Sequence, residues 1–170
     1  RMGTCGSVNP DVQVDNMLVT QNVVGLDGLM HFYQDYNFEN EFSKNFLEKF
    51  PYERIKPMLY FSDWAKEMGE YYKDAKYHGN TATFPGFYAP QGRQLRLKAG
   101  DDKFLETLND LGITNFEMET SAIYALSKLL GHKAITVNNV IANRRRGEFS
   151  ADHHASEKNL ITWVLDRIIK

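Results

Sequence analysis

Cysteine is nearly absent from this 170-residue sequence. Cys5 stands alone, which excludes an intrachain disulfide framework and fits a reducing compartment. Charge of one sign is lacking as well: 20 Lys and Arg against 22 Asp and Glu leave a net charge of −2, so no nucleic acid or other polyanion is implied as a global partner. No apolar run reaches membrane length and no signal-peptide pattern is present, so no membrane partner is expected and the cytoplasm is the expected location. Internal repeats, heptads, low-complexity tracts and linkers are missing, and residues 1–170 read as a single domain, a length that buries about 70% of the unfolded chain's surface. Metal-ligand spacing is missing too. His153 and His154 beside Asp152 are adjacent rather than spaced, with no third ligand at a useful interval, and read as part of a mobile loop. The run Arg144-Arg145-Arg146 could touch phosphates but reads as a solvated loop.

Chemistry concentrates in three segments. Phe87-Tyr88-Ala89-Pro90-Gln91-Gly92-Arg93 sets an aromatic pair, an amide and a guanidinium beside glycine and proline. An aromatic face stacks on a flat heterocycle, a glutamine matches the O=C–N–H edge of a cyclic imide, and an arginine donates to a second carbonyl; uracil presents that combination. A β-turn with a surface arginine has the same composition. Arg1-Met2-Gly3-Thr4-Cys5-Gly6-Ser7 has glycines three apart with hydroxyls near them, which lets backbone N–H groups turn toward an anion, although glycine turns after strands are common. Asn115-Phe116-Glu117-Met118-Glu119-Thr120 leads into a helical pattern that stops at Gly131; its glutamates either complement a helix dipole or present a carboxylate to a diol.

The periodicities alternate between strand and helix, which predicts an α/β domain. Extended structure is expected over Val12–Val24, Lys76–Phe84 and His132–Ala142. Helices are expected over Glu41–Phe50, stopped by Pro51; after an N-cap at Ser62-Asp63, with Trp64, Met68, Tyr71 and Tyr72 as its stripe; after Asp101, with Phe104, Leu105, Leu108 and Leu111; over Glu117–Leu130; and over Glu157–Ile169, with Leu160, Ile161, Val164, Leu165 and Ile168 as its buried face. Arg144–Ser156 is polar and has few apolar anchors beyond Phe149.

Taken together, the first segment, the FYxxQGR loop, NFEMET and the apolar stretch Ala134–Ala142 ending in Asn143-Arg144 resemble the nucleoside phosphorylase family, and are most similar to its uridine phosphorylase branch. The likeness runs to the last helix. It implies a three-layer fold with a central mixed, partly barrel-like sheet flanked by helices. The family's N-terminal part, with its glycine-rich first phosphate loop and further phosphate-binding arginines, has no counterpart here. The chain is therefore expected to be the C-terminal, larger part of a phosphorylase, to leave a sheet edge unpaired, and to be inactive by itself.

The roles that follow are what the resemblance implies. Arg1, Gly3 and Thr4 bind inorganic phosphate, the co-substrate, and no cofactor or metal is needed. Glu119 accepts from the ribose hydroxyls, with Thr4, Glu117 and Met118 against the sugar. Phe87, Gln91 and Arg93 hold the base, with Cys5 and Gly6 beside it. Catalysis rests on Arg93, Gln91 and Glu119, and the reaction is phosphorolysis of uridine to uracil and ribose 1-phosphate. Purine-specific members place an aspartate where Ala142 stands, and a methyl group supplies no acid. A purine phosphorylase or a nucleosidase of the same fold, or a non-catalytic nucleoside-binding fragment, are the alternatives. A homo-oligomer is expected, with a dimer as its minimal unit and a hexamer as the larger form. Arg144–Ser156 corresponds to a lid.

Overall fold

The computed structural model describes residues 1–101 and 103–169. Among these, β1 (Met2–Ser7), β2 (Met17–Gly25), β3 (Tyr60–Asp63), β4 (Tyr77–Thr83), β5 (Ile113–Glu117), β6 (Val137–Asn143) and β7 (Glu148–Phe149) make one sheet in the order β3-β2-β4-β5-β1-β6-β7. It is mixed: β2–β4, β4–β5 and β1–β6 are parallel, and the other pairs antiparallel. The second partner of β2 changes its character. Met17, Leu18 and Val19 pair with Asn139, Asn138 and Val137 of β6, so β2, β4, β5, β1 and β6 close on themselves as a small barrel. Helices α1 (Glu41–Lys49), α2 (Lys66–Gly69), α3 (Phe104–Asp110), α4 (Thr120–Leu129) and α5 (His153–Ile168) lie around it. The α/β class and partly barrel-like sheet match the expectation. Closure removes the anticipated raw edge from the ring, leaving β3 and β7 as the outer strands of the described sheet. No helix of the described residues is long and apolar enough to cross a membrane.

The largest of the apolar clusters lies beneath α1 and α3. Val24 and Phe61 on β2 and β3, Phe84 after β4, and Ile113 and Phe116 on β5 pack against Phe46 and Phe50 of the α1 region and Leu108 of α3. The phenylalanines expected on one side of α1 do point together: Phe46 and Phe50 are buried and stacked 5.3 Å apart, with Phe42 and Leu47 at the margin. Asn40 starts this helix with a capping box, its Oδ1 accepting from Ser43 N while its own N donates to Ser43 Oγ, both at 2.9 Å.

Several expected boundaries move. Ser62 and Asp63 end a strand instead of capping a helix, because β3 pairs with β2 through Asn22–Gly25 and buries Tyr60 and Phe61. The Trp64–Tyr72 stripe is only one turn of α2 and a 3-10 turn. Asp101 accepts from Lys103 N at 2.9 Å, just ahead of α3. Glu117 closes β5, and the helix begins three residues later. His153 and His154 form the first turn of α5, which Asp152 caps through Ala155 N at 3.0 Å, so they are not loop residues. Of the five apolar residues expected beneath α5, only Leu160 and Val164 are buried; Ile161, Leu165 and Ile168 are exposed. Arg144–Ser156 holds a turn, β7 and the helix start, and two of its arginines are paired, Arg145 with Glu106 and Arg146 with Glu148.

The closing seam is fastened by one phenol. Tyr124 of α4, about fully buried, donates to Thr20 O and accepts from Thr136 N, each at 2.8 Å, beside the Thr20 N to Thr136 O bond of 3.0 Å. Tyr124→Phe should therefore lower the unfolding free energy by about 1–3 kcal/mol, the cost of orphaning a buried donor. A urea midpoint unchanged from wild type would show that the seam holds without the hydroxyl.

Candidate active site

Where β1, β5 and β6 approach the Phe87–Arg93 segment, a cavity of about 440 Å³ opens. Every residue to which the family resemblance gives a binding or catalytic role lines it: Arg1, Gly3, Thr4, Cys5, Gly6, Phe87, Gln91, Arg93, Glu117, Met118 and Glu119. Phe116, Ile141, Ala142 and Phe149 complete the wall. Phe116 and Ile141 lay inside quoted motifs without being assigned a role. Phe149 comes from the far end of the β6–β7 hairpin, which no local pattern ties to β1.

From Met2 to Ser7 the first segment is a strand, not a loop. Its glycines serve close packing. A Cβ on Gly3 would stand 2.7 Å from the Cζ of Arg1, and one on Gly6 2.6 Å from the Phe116 ring. Either side chain would displace a wall of the cavity. Parallel pairing with β6 sets Gly3 against Asn138 and Thr4 against Asn139.

Glu117 organises the middle of the site although it is only 5% exposed. Its Oε1 accepts from Thr83 Oγ1 at 2.6 Å, and its Oε2 from Glu119 N, Thr120 N and Thr120 Oγ1 at 3.0, 2.8 and 2.7 Å. It thus caps α4 from the preceding strand, placing a carboxylate at the helix's positive end. The Nη1 of Arg1 lies 3.2 Å from the same Oε2 and donates to Asn138 Oδ1 at 2.7 Å, while Nη2 pairs with Glu119. Glu119 and Met118 project into solvent. Glu117's oxygens are occupied from within, whereas Glu119 is exposed and its side chain pairs with Arg1.

On the opposite wall, the chain makes a 3-10 turn at Ala89–Gln91. It ends at Gly92, whose φ of 71° lets Arg93 N reach back to Tyr88 O at 2.9 Å; a side chain there would strain the turn. The Arg93 guanidinium lies 3.8 Å over the Phe87 ring and donates from Nη1 to Phe87 O at 2.8 Å and to Gln91 Oε1. Since a guanidinium only donates, this fixes which end of the Gln91 amide faces it and turns the NH₂ group elsewhere. Gln91 is buried and Arg93 partly so; burial first, then the charge of Arg144, lowers the Arg93 pKa. Behind the turn lies a second hollow of about 310 Å³, apolar, with Ala89, Pro90 and Gly92 on one side and Leu26, Phe84, Phe104 and Leu105 on the other. No group of three or more His, Cys, Asp or Glu able to hold a metal occurs among the described residues.

A sequence profile of the phosphorylase superfamily matches residues 1–170. The chain is 29% identical over 152 residues to a uridine phosphorylase of Haemophilus influenzae, covering 87% of this chain and 54% of that protein. It is 28% identical over 155 residues to a uridine phosphorylase of Thermococcus kodakarensis, covering 88% and 50%. The chain thus spans about half the length of the curated relatives it matches. A solved Trypanosoma brucei nucleoside phosphorylase, described as showing uridine phosphorylase activity, superposes with a TM-score of 0.86 at 26% identity, over 99% of this chain and 62% of that one.

Cys5 sits in this wall, yet its chemistry is suppressed. Burial, and then the charge of Glu117, pushes its thiol up from 9.0 to about 12. Iodoacetamide at about pH 8 should leave the folded protein unmodified and label it readily in urea. Below pH 9 the thiol is protonated in both states; above it the unfolded chain ionises first, so this contribution to stability is full below pH 9 and is lost as pH rises toward 12. Cys5→Ala should flatten the alkaline decline of the urea midpoint, and an unaltered decline would contradict the assignment.

Proposed function

This chain belongs to the phosphorylase superfamily, and from that premise we propose that it builds the active site of a uridine-type nucleoside phosphorylase, which converts uridine and phosphate to uracil and ribose 1-phosphate. One observation carries the reading. Gln91 and Arg93 form a joined amide–guanidinium unit in the same cavity as Arg1 and the exposed Glu119.

In this reading phosphate lies against Arg1, Gly3 and Thr4. A phosphate oxygen takes the place of Glu119 on the Nη2 of Arg1, and the released carboxylate accepts from two ribose hydroxyls. Met118 and Thr4 flank the sugar, while Glu117 acts from behind by holding Arg1 and the start of α4. The base lies by Phe87, with Cys5 and Gly6 beside it, and the amide of Gln91 meets its imide edge. As phosphate attacks the anomeric carbon, the glycosidic electron pair passes to the base and spreads onto its carbonyl oxygens. Arg93 and Gln91 bind that developing charge more strongly than the neutral base, and the difference lowers the barrier. Holding both reactants in one cavity supplies the rest. No cofactor beyond phosphate enters. The setting we propose is nucleoside salvage in the cytoplasm by a homo-oligomer.

Purine cleavage needs a proton donor for the leaving ring, and the cavity wall offers the methyl group of Ala142 where the family resemblance expects one. The protein encoded by the complete open reading frame should release uracil from uridine only when phosphate is present, and far faster than it cleaves inosine. Faster cleavage of inosine, or release that ignores phosphate, would overturn the reading. Arg93→Ala should reduce kcat/KM for uridine by about 2–4 kcal/mol of transition-state stabilisation, the scale for losing one donor to developing charge. A kinetically silent Arg93→Ala would remove the base from this wall.

A further inference from the structure

Asn138 has no part in the reaction as proposed, yet its placement is unusual. It lies in β6, wholly buried, at the seam where β6 pairs with both β1 and β2, opposite Gly3 and Leu18. It is not part of the cavity lining. Its side-chain oxygen accepts from Arg1 Nη1 at 2.7 Å, and its Nδ2 has no partner among the described residues. An unpaired buried donor opposes stability, so packing alone does not account for an amide at this position.

Arg1 is held unequally by its two terminal nitrogens. Nη1 is tied inward to Asn138 and to the buried Glu117, whose side chain is 2% exposed. Nη2 is paired outward with Glu119, whose side chain is 55% exposed. The inner nitrogen sets where the guanidinium stands, and the outer one is open to exchange with a ligand oxygen. Gly3 clears the space, since any Cβ there would meet the guanidinium. The inner partner's charge matters as much as its position. Glu117 already offsets the guanidinium, and a second buried carboxylate at position 138 would cancel the charge that a phosphate must meet. An amide oxygen accepts the same hydrogen bond without doing so.

We propose that Asn138 is a positioning residue for the anion site: it aims the Arg1 guanidinium at the cavity wall and, being neutral, leaves its positive charge available to phosphate. The proposal rests on the phosphorolytic reading above.

The test is a double-mutant cycle in the protein encoded by the complete open reading frame, with KM for phosphate and for uridine measured separately and inorganic phosphate titrated calorimetrically. Asn138→Ala, which removes the acceptor, should raise the phosphate KM and Kd by about tenfold or more and leave the uridine KM within about twofold. Asn138→Asp, which keeps the oxygen but adds a charge, should weaken phosphate to a similar degree. In an Arg1→Lys background, which has no fork to aim, Asn138→Ala should change the phosphate constants by less than about twofold. A purely structural role would move both substrates alike and add in full on Arg1→Lys. If Asn138→Ala fails to accumulate as folded protein, Asn138→Val, which fills the site without offering an acceptor, decides by the same split between phosphate and uridine. Phosphate constants within about threefold of wild type in both variants, or full additivity, overturn the proposal. Uridine cleavage by the wild type that needs no phosphate, or no binding of phosphate to it, overturns the phosphorolytic reading itself.

Discussion

The carboxylate of Glu117 is the interaction on which the rest of the site depends. It is taken out of water, a placement that is tolerable only when its lone pairs are met by donors. Those donors come from four directions: Thr83 on β4, the backbone of Glu119, Thr120 at the start of α4, and Arg1 ahead of β1. Satisfying one buried charge therefore fixes the angle at which α4 leaves β5, the place of the Arg1 side chain ahead of β1, and the outward aim of Glu119. Removing any of these donors leaves the charge partly exposed to a low-dielectric interior, so the elements that meet there are not independently variable.

The barrel supplies the frame for this arrangement. Because β2 reaches β6, strands distant in sequence are brought together, and Asn138 comes to stand beside Arg1 at a separation of 137 residues. Polar groups occupy the seam and the upper ring: Thr20 bonds to Thr81 at 2.7 Å, Thr81 to Asn115 at 2.9 Å, and Tyr124 spans Thr20 and Thr136. The larger apolar cluster lies outside, beneath α1 and α3. The ring is thus tied across by side-chain hydrogen bonds and stabilised by the packing around it.

How much of this could be read from the residues depended on the range of the interaction. The candidate residues fall in three short segments whose side-chain chemistry is local, and the fold gathers all three into one cavity. The helix periodicity of α1 and α4 was equally local. What escaped was set by pairing across the chain. Ser62-Asp63 has the composition of an N-cap but lies on β3 because β2 offers an edge there. Glu117 looks like a first-turn helix acid, and caps α4 from a strand end instead. Asn138 and Asn139 are unintelligible within an apolar strand until Arg1 and Ser156 are placed opposite them. His153-His154 reads as loop until Asp152 is seen to cap a helix.

The two halves of the cavity differ in how they are anchored. Gly3 and Thr4 belong to a strand bonded along its length to β6 and, at Gly6 and Ser7, to β5. Their conformational freedom is surrendered when the barrel forms. Phe87, Gln91 and Arg93 are carried on a turn whose shape rests on Gly92 and on contacts among its own members. Thermodynamically, the β1 wall is ordered once, at folding, together with the strands on either side of it. The wall carried on the turn owes its order to its own few contacts, so the two walls of one cavity draw their rigidity from different sources, one from the whole barrel and one from seven residues.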